Sequence, residues 1–170
     1  MSPAALKQTI VIELHQLLRP EGFRKSGAVF SRHSADVVHL VEVQGSRTNV
    51  SGDASFTVNA GVFAPEVVHA DIRAHTKPSI AASHWRERIG FLGPEQKDLW
   101  WCVHTQAEAE QAAAELSERV HKHVLPALAA LPSLSLLVEL WRSGRNPGVP
   151  PKLRDDFLQR LFPSSARSAA

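Results

Sequence analysis

Apolar residues at Leu6, Ile10, Leu14 and Leu17/Leu18 recur at helical spacing and predict one buried stripe along an N-terminal helix. Ser2 suits its cap, and Pro3 its first turn, where a missing amide costs nothing. Arg19-Pro20-Glu21-Gly22 stops it. The period then shortens to two. Residues 28–32 predict a short strand between Gly27 and the turn-like His33-Ser34-Ala35-Asp36. Residues 37–44, VVHLVEVQ, are rich in β-branched side chains and long enough for a central strand. Residues 55–63, SFTVNAGVF, alternate more cleanly. Phe56, Val58, Ala60 and Val62 should face the core, with Ser55, Thr57, Asn59 and Gly61 opposite. SRTNVSGD between these strands reads as a loop, which predicts an antiparallel meander.

Residues 65–72, PEVVHADI, read as a short helix led by proline, and residues 74–83 as a surface loop. Residues 85–92 and 99–104 read as two strands joined by GPEQKD. Thr105 and Glu108 have the spacing of a capping box. The helix they open buries Ala109, Ala112, Ala113, Leu116, Val120 and Val124, and Pro126 ends or kinks it. Ser133 should cap a further helix through Trp141, closed by Gly144. RNPGVPP then links to an amphipathic segment carrying Leu153, Phe157, Leu158 and Leu161. The expected fold is α+β: a mainly antiparallel sheet of about five strands, with an N-terminal helix and two or three C-terminal helices packed on it. Residues 1–143 would form a single domain, 144–162 a linker and C-terminal amphipathic helix, and 163–170 a disordered tail.

With 170 residues, 44% apolar and 21% charged, the chain has the length and balance of one globular domain with a real core. No apolar run approaches the roughly 18 to 20 residues of a membrane span. The stretch MSPAALKQTIVIELHQ lacks the marks of a signal peptide, and Cys102 is the only cysteine. A cytoplasmic setting is therefore the expectation. The net charge is +2, with basic and acidic residues balanced in both halves, so specific nucleic-acid binding is not expected.

Nine histidines invite a metal hypothesis that the spacings do not support. His121 and His123 lie on opposite sides of a predicted helix, and no zinc-type cluster is present. No metal or other cofactor is expected. A G-x-S-x-G elbow is absent, and Cys102 falls in a predicted strand, where a partly buried, inert thiol is the ordinary case. Glu108, Glu115 and Glu118 read as a solvated helix face. No catalytic residue is assigned.

The polar sheet face is the better lead. Thr57 and Asn59 project from one strand, and Glu42 and Gln44 share a face of another. Arg86 and Arg88 stand two apart, so both guanidinium forks point the same way and suit a phosphate or carboxylate. Trp85 or Trp100 offers a stacking surface nearby. The competing reading is structural: the arginines pair with Glu42, Asp98 or helix carboxylates, and the amides bond backbone.

The ordered stretches GFRKSGAVFSR, VEVQGSR, SFTVNAGVF, WRERIG and KDLWW, within residues 6–140, resemble a bacterial family catalogued as domain of unknown function 4304. The resemblance implies a shared fold and a shared polar set that includes Gln44, Ser46, Asn59, Arg86, Arg88, Asp98 and Trp100, and implies no reaction. It leaves the tail from Gly144 outside. Together these readings give a ligand-binding set of Gln44, Ser46, Asn59, Arg86, Arg88 and Trp100. The expected function is a non-enzymatic binding protein of immunity or accessory type, holding a small anionic ligand or an acidic protein surface. The alternative is a metal-independent enzyme acting on a phosphate- or nucleotide-containing substrate, with His39 or His84 as general base. Self-association through the C-terminal helices, with Trp141 and Phe157 buried in a partner, is a further expectation.

Overall fold

The computed structural model describes residues 1–145 and 148–163. All but the first residue of the expected disordered tail lies outside the described residues. The elements are α1 (Pro3–Leu18), β1 (Arg24–Ser26), β2 (Val29–Ser34), β3 (Val37–Gly45), β4 (Ala54–Phe63), α2 (Ala70–Arg73), β5 (Trp85–Arg88), α3 (Ile89–Leu92), β6 (Trp101–Val103), α4 (Gln106–Arg119), α5 (Leu125–Ala129), α6 (Leu134–Arg142) and α7 (Pro151–Leu161). The fold is α+β, and β1 to β5 form an antiparallel meander in chain order. Strand β1 falls on exposed Arg24, Lys25 and Ser26, where no apolar alternation announces it.

One face of the sheet carries the core. Val37, Val41 and Val43 of β3, and Phe56, Val58, Ala60 and Val62 of β4, are buried against Leu6, Ile10, Leu14 and Leu18 of α1 and the inner stripe of α4. The alternation of β4 thus runs as its sequence predicts. His39 also lies on this face, fully enclosed. Its Nε2–H donates to the Leu131 carbonyl at 2.9 Å, which leaves Nδ1 to accept from the Arg32 guanidinium at 3.2 Å.

The opposite face departs from expectation. It is not a continuous open polar surface. Val38, Leu40, Phe63 and Val68 make a second apolar cluster there, with Val29, Ile80 and Ala82 packed against it. Residues 74–83, expected as a surface loop, supply part of that cover. Gly61 permits the approach: a β-carbon there would sit 2.5 Å from Ser83 Oγ and 3.0 Å from Ile80 Cδ1.

The stretch read as two hairpin strands is built differently. Strand pairing stops at Arg88, and Ile89–Leu92 form one helical turn. A strand would send Ile89 and Leu92 to opposite faces, whereas the turn lets both reach the core and leaves Phe91 40% exposed. β5 and β6 do not pair with each other. Both bond to the same edge of β4, β5 against residues 59–62 and β6 against residues 54–56. The thiol of Cys102, expected partly buried, is exposed.

Residues 65–72, read as one helix, divide into a 3₁₀ turn at Pro65–Val67 and the short α2. The capping box of α4 is offset by one residue. Thr105 Oγ1 accepts from the Glu108 amide at 3.2 Å, but the Glu108 carboxylate reaches back to the amide of His104 at 2.6 Å. Before Pro126 the helix widens into a π-turn over Val120–Val124, which accommodates the missing proline amide. Ser133 makes no side-chain cap on α6. The cap is Asp36, in the β2–β3 turn, whose Oδ1 accepts from the Leu134 amide at 2.8 Å.

Trp141 and Phe157 are 1% and 5% exposed and pack on each other at 5.5 Å within this chain, so neither is available to a partner as expected. No single helix among the described residues is long and apolar enough to cross a membrane.

The borrowed cap generates a discriminating test. Asp36→Ala should lower stability in urea denaturation by about 1 kcal/mol, and Ser133→Ala by much less. Equal losses, or the larger loss at Ser133, would contradict the assignment.

Candidate functional site

The antiparallel register brings the polar residues together in rows. Glu42 of β3 pairs with Asn59 of β4, which pairs with Arg88 of β5; in the next row Leu40, Gly61 and Arg86 are paired. Gln44 lies opposite Thr57. All these residues belong to the second face; Leu40 and Gly61 lie under the loop cluster, and Glu42, Gln44, Asn59 and Arg88 lie at the end that it does not cover. There a groove of about 630 Å³ opens, within the size range of small-molecule sites. Glu42, Gln44, Asn59, Arg86, Arg88 and Glu87 line it, with Ser79, Ile80 and Ala81 on one side, Phe91 of α3, and Gly148 from the C-terminal segment.

Asn59 is 6% exposed and organises the floor. Its amide nitrogen donates to Gln44 Oε1 at 2.7 Å and, more weakly, to Glu42 Oε2 at 3.4 Å. Thr57, also buried beside Gln44 in the register, has a hydroxyl with no hydrogen-bond partner.

The two arginines have different fates. Arg88 donates to Asp98 Oδ2, which also accepts from the Trp100 indole at 3.1 Å, and the guanidinium lies 5.3 Å from the Trp100 ring centroid. Its charge is met, as the structural reading anticipated. Arg86 has no carboxylate among the described residues. Its Nε donates to the Gly148 carbonyl and its Nη1 to the Ala81 carbonyl, each at 3.0 Å. Two neutral dipoles hold the fork in place and leave its net charge unmatched. Gly148, at φ +69°, fits because a β-carbon there would lie 2.0 Å from the Arg86 carbonyl oxygen.

Of the six residues in the expected binding set, Gln44, Asn59, Arg86 and Arg88 line the groove. Ser46 lies beyond the end of β3, where its hydroxyl accepts from the Thr48 amide at 3.2 Å and shapes a turn. Trp100 braces the Arg88–Asp98 pair from outside the lining. Neither candidate base lines the groove. His39 is on the core face. His84 is buried between Phe63 and Phe157, and its Nδ1 accepts from the Ala64 amide at 3.0 Å. The sequence did not announce Ser79, Ile80, Ala81 and Gly148, which arrive from segments with no strand periodicity, nor Glu87 and Phe91 of the stretch read as one strand.

Titration separates these groups further. Burial, reinforced by the Arg160 charge, holds His84 down to about 4, so it is neutral near pH 7. Burial pushes the Glu87 carboxyl up, against the amide bond it accepts from Arg88 and the Arg88 charge. Outside the groove, Arg119 draws Glu95 down to about 2 and ties the loop after α3 to α4.

A family model described as Domain of unknown function (DUF4304) matches residues 14–130. The chain belongs to this family. No curated protein and no solved structure matches it. The DUF4304 span contains β1 to β6, α4, α5 and every groove residue except Gly148. The C-terminal segment that completes one wall lies outside it. Family membership assigns no activity to the groove.

Buried, neutral His84 makes stability pH-dependent. Its folded value lies below the ordinary 6.5, so the unfolded chain takes up the proton first as pH falls. The stabilisation is complete above pH 6.5 and declines toward pH 4. His39, lowered mainly by burial, acts in the same direction. Urea denaturation across this range should show falling stability, with a shallower fall in His84→Gln. Identical pH slopes in the two proteins would contradict the assignment.

Proposed function

We propose that this chain is a non-enzymatic binding protein that uses the second-face groove to hold an anionic group, from a small ligand or from an acidic segment of a protein partner. An accessory or immunity protein is the biological form this takes. One observation carries the reading: Arg86 presents a guanidinium fixed by two carbonyls and met by no carboxylate among the described residues, in a groove that Gln44 and Asn59 also line. A fork already held in geometry loses little freedom when it takes a carboxylate or phosphate. Arg88 is the weaker contributor, because Asp98 already competes for it.

Equilibrium titration with inorganic phosphate, succinate and an acidic peptide tests this. At least one probe should bind saturably, and Arg86→Gln should weaken it by about tenfold or more, the cost of one charge-assisted contact. Arg88→Gln should weaken it less. Binding that is unchanged in both variants, with their folds intact by circular dichroism, would sink the proposal.

A further inference from the structure

The groove holds a second unmatched charge. Glu42, on β3, forms no ion pair among the described residues, and its side chain accepts one long hydrogen bond there, from the Asn59 amide nitrogen at 3.4 Å. Arg86 likewise forms none. The two are kept apart by the sheet itself. Glu42 and Arg86 are two strands and two residues apart, so their backbones are separated by about 12 Å. Arg86 is also drawn toward the Ala81 and Gly148 wall, and Glu42 toward the β4 floor. Opposite charges on the β3 and β5 sides of one groove, neither with a counter-ion among the described residues, are complementary to a ligand that carries both signs. A simple anion would match Arg86 and meet repulsion from Glu42.

The groove lining also carries apolar groups. Ile80 comes from the covering loop, and Phe91 is 40% exposed at the groove. They can take an aliphatic side chain. Asn59, on β4 between the two charges, and Gln44, two residues beyond Glu42 on β3, supply amide groups suited to a peptide unit.

Building on the binding reading above, we propose that the ligand is a short zwitterionic peptide. A di- or tripeptide with an aliphatic side chain would place its carboxylate on Arg86, its ammonium on Glu42, and its side chain against Ile80 and Phe91. The groove volume of about 630 Å³ is large enough for such a ligand. A free amino acid holds its two charges too close together to reach both sides.

Isothermal titration of the full chain with L-leucyl-L-leucine, its N-acetyl form and its C-terminal amide tests this. The unmodified dipeptide should bind about tenfold or more tighter than either blocked form, since each block removes one charge-assisted contact. Glu42→Gln, an isosteric change at a residue with no salt bridge, should abolish the preference over the N-acetyl form and keep the preference over the amide. Arg86→Gln should do the reverse. If the N-acetyl form binds as tightly as the free dipeptide, or if succinate and phosphate bind and the dipeptide does not, the peptide assignment is overturned and the anion-binding reading stands. If none of the probes binds, both fall.

Discussion

The groove depends on how closely residues 79–83 approach β4. Gly61 allows it, since any side chain there would meet Ser83 and Ile80. With that approach, Val38, Leu40 and Phe63 gain an apolar cover on the second face of the sheet. Only one end is covered. At the other, Glu42, Gln44, Asn59 and Arg88 remain on a polar surface whose boundary is the edge of the loop. The same contact therefore stabilises the sheet and defines a wall of the candidate site.

Arg86 joins the two structural boundaries. Its main chain is in β5, its Nη1 reaches the covering loop at Ala81, and its Nε reaches Gly148 of the C-terminal segment. That segment is anchored by Phe157, which packs on His84 and Trp141, and by Arg160, which donates to the Val67 carbonyl at 3.3 Å. Residues beyond the DUF4304 match thus complete a groove built mainly within it. Arg88 has the opposite character. Asp98 and Trp100 hold it, and it stiffens the region where β5 gives way to α3.

Much of this was legible because strand alternation is a strict geometrical rule. Once residues 55–63 are read as a strand, Asn59 and Gly61 must share a face, and the antiparallel register adds Glu42, Arg86 and Arg88. What alternation cannot convey is the partner on that face. Gly61 looks like an ordinary strand glycine, and the loop that lies on it has no periodic pattern. The helical turn at Ile89–Leu92 was missed for a related reason: over four residues, helix and strand templates fit an apolar run about equally well. Asp36 as the cap of α6 is a contact 98 residues long, outside the reach of any local motif. The pairing of Arg88 with Asp98 was one of two outcomes the sequence allowed, and only geometry separates it from Arg86.

We propose that the half-covered sheet face is where this protein meets its ligand. The most direct measurement is residue-level mapping by ¹H–¹⁵N NMR while a mixture of small peptides and organic anions is titrated in. Saturable shifts should concentrate on the Gln44 and Asn59 side-chain amides, the Arg86 Nε–H and the Phe91 backbone. Saturable shifts confined to the outer surfaces of α6 and α7, with these signals unmoved, would contradict it.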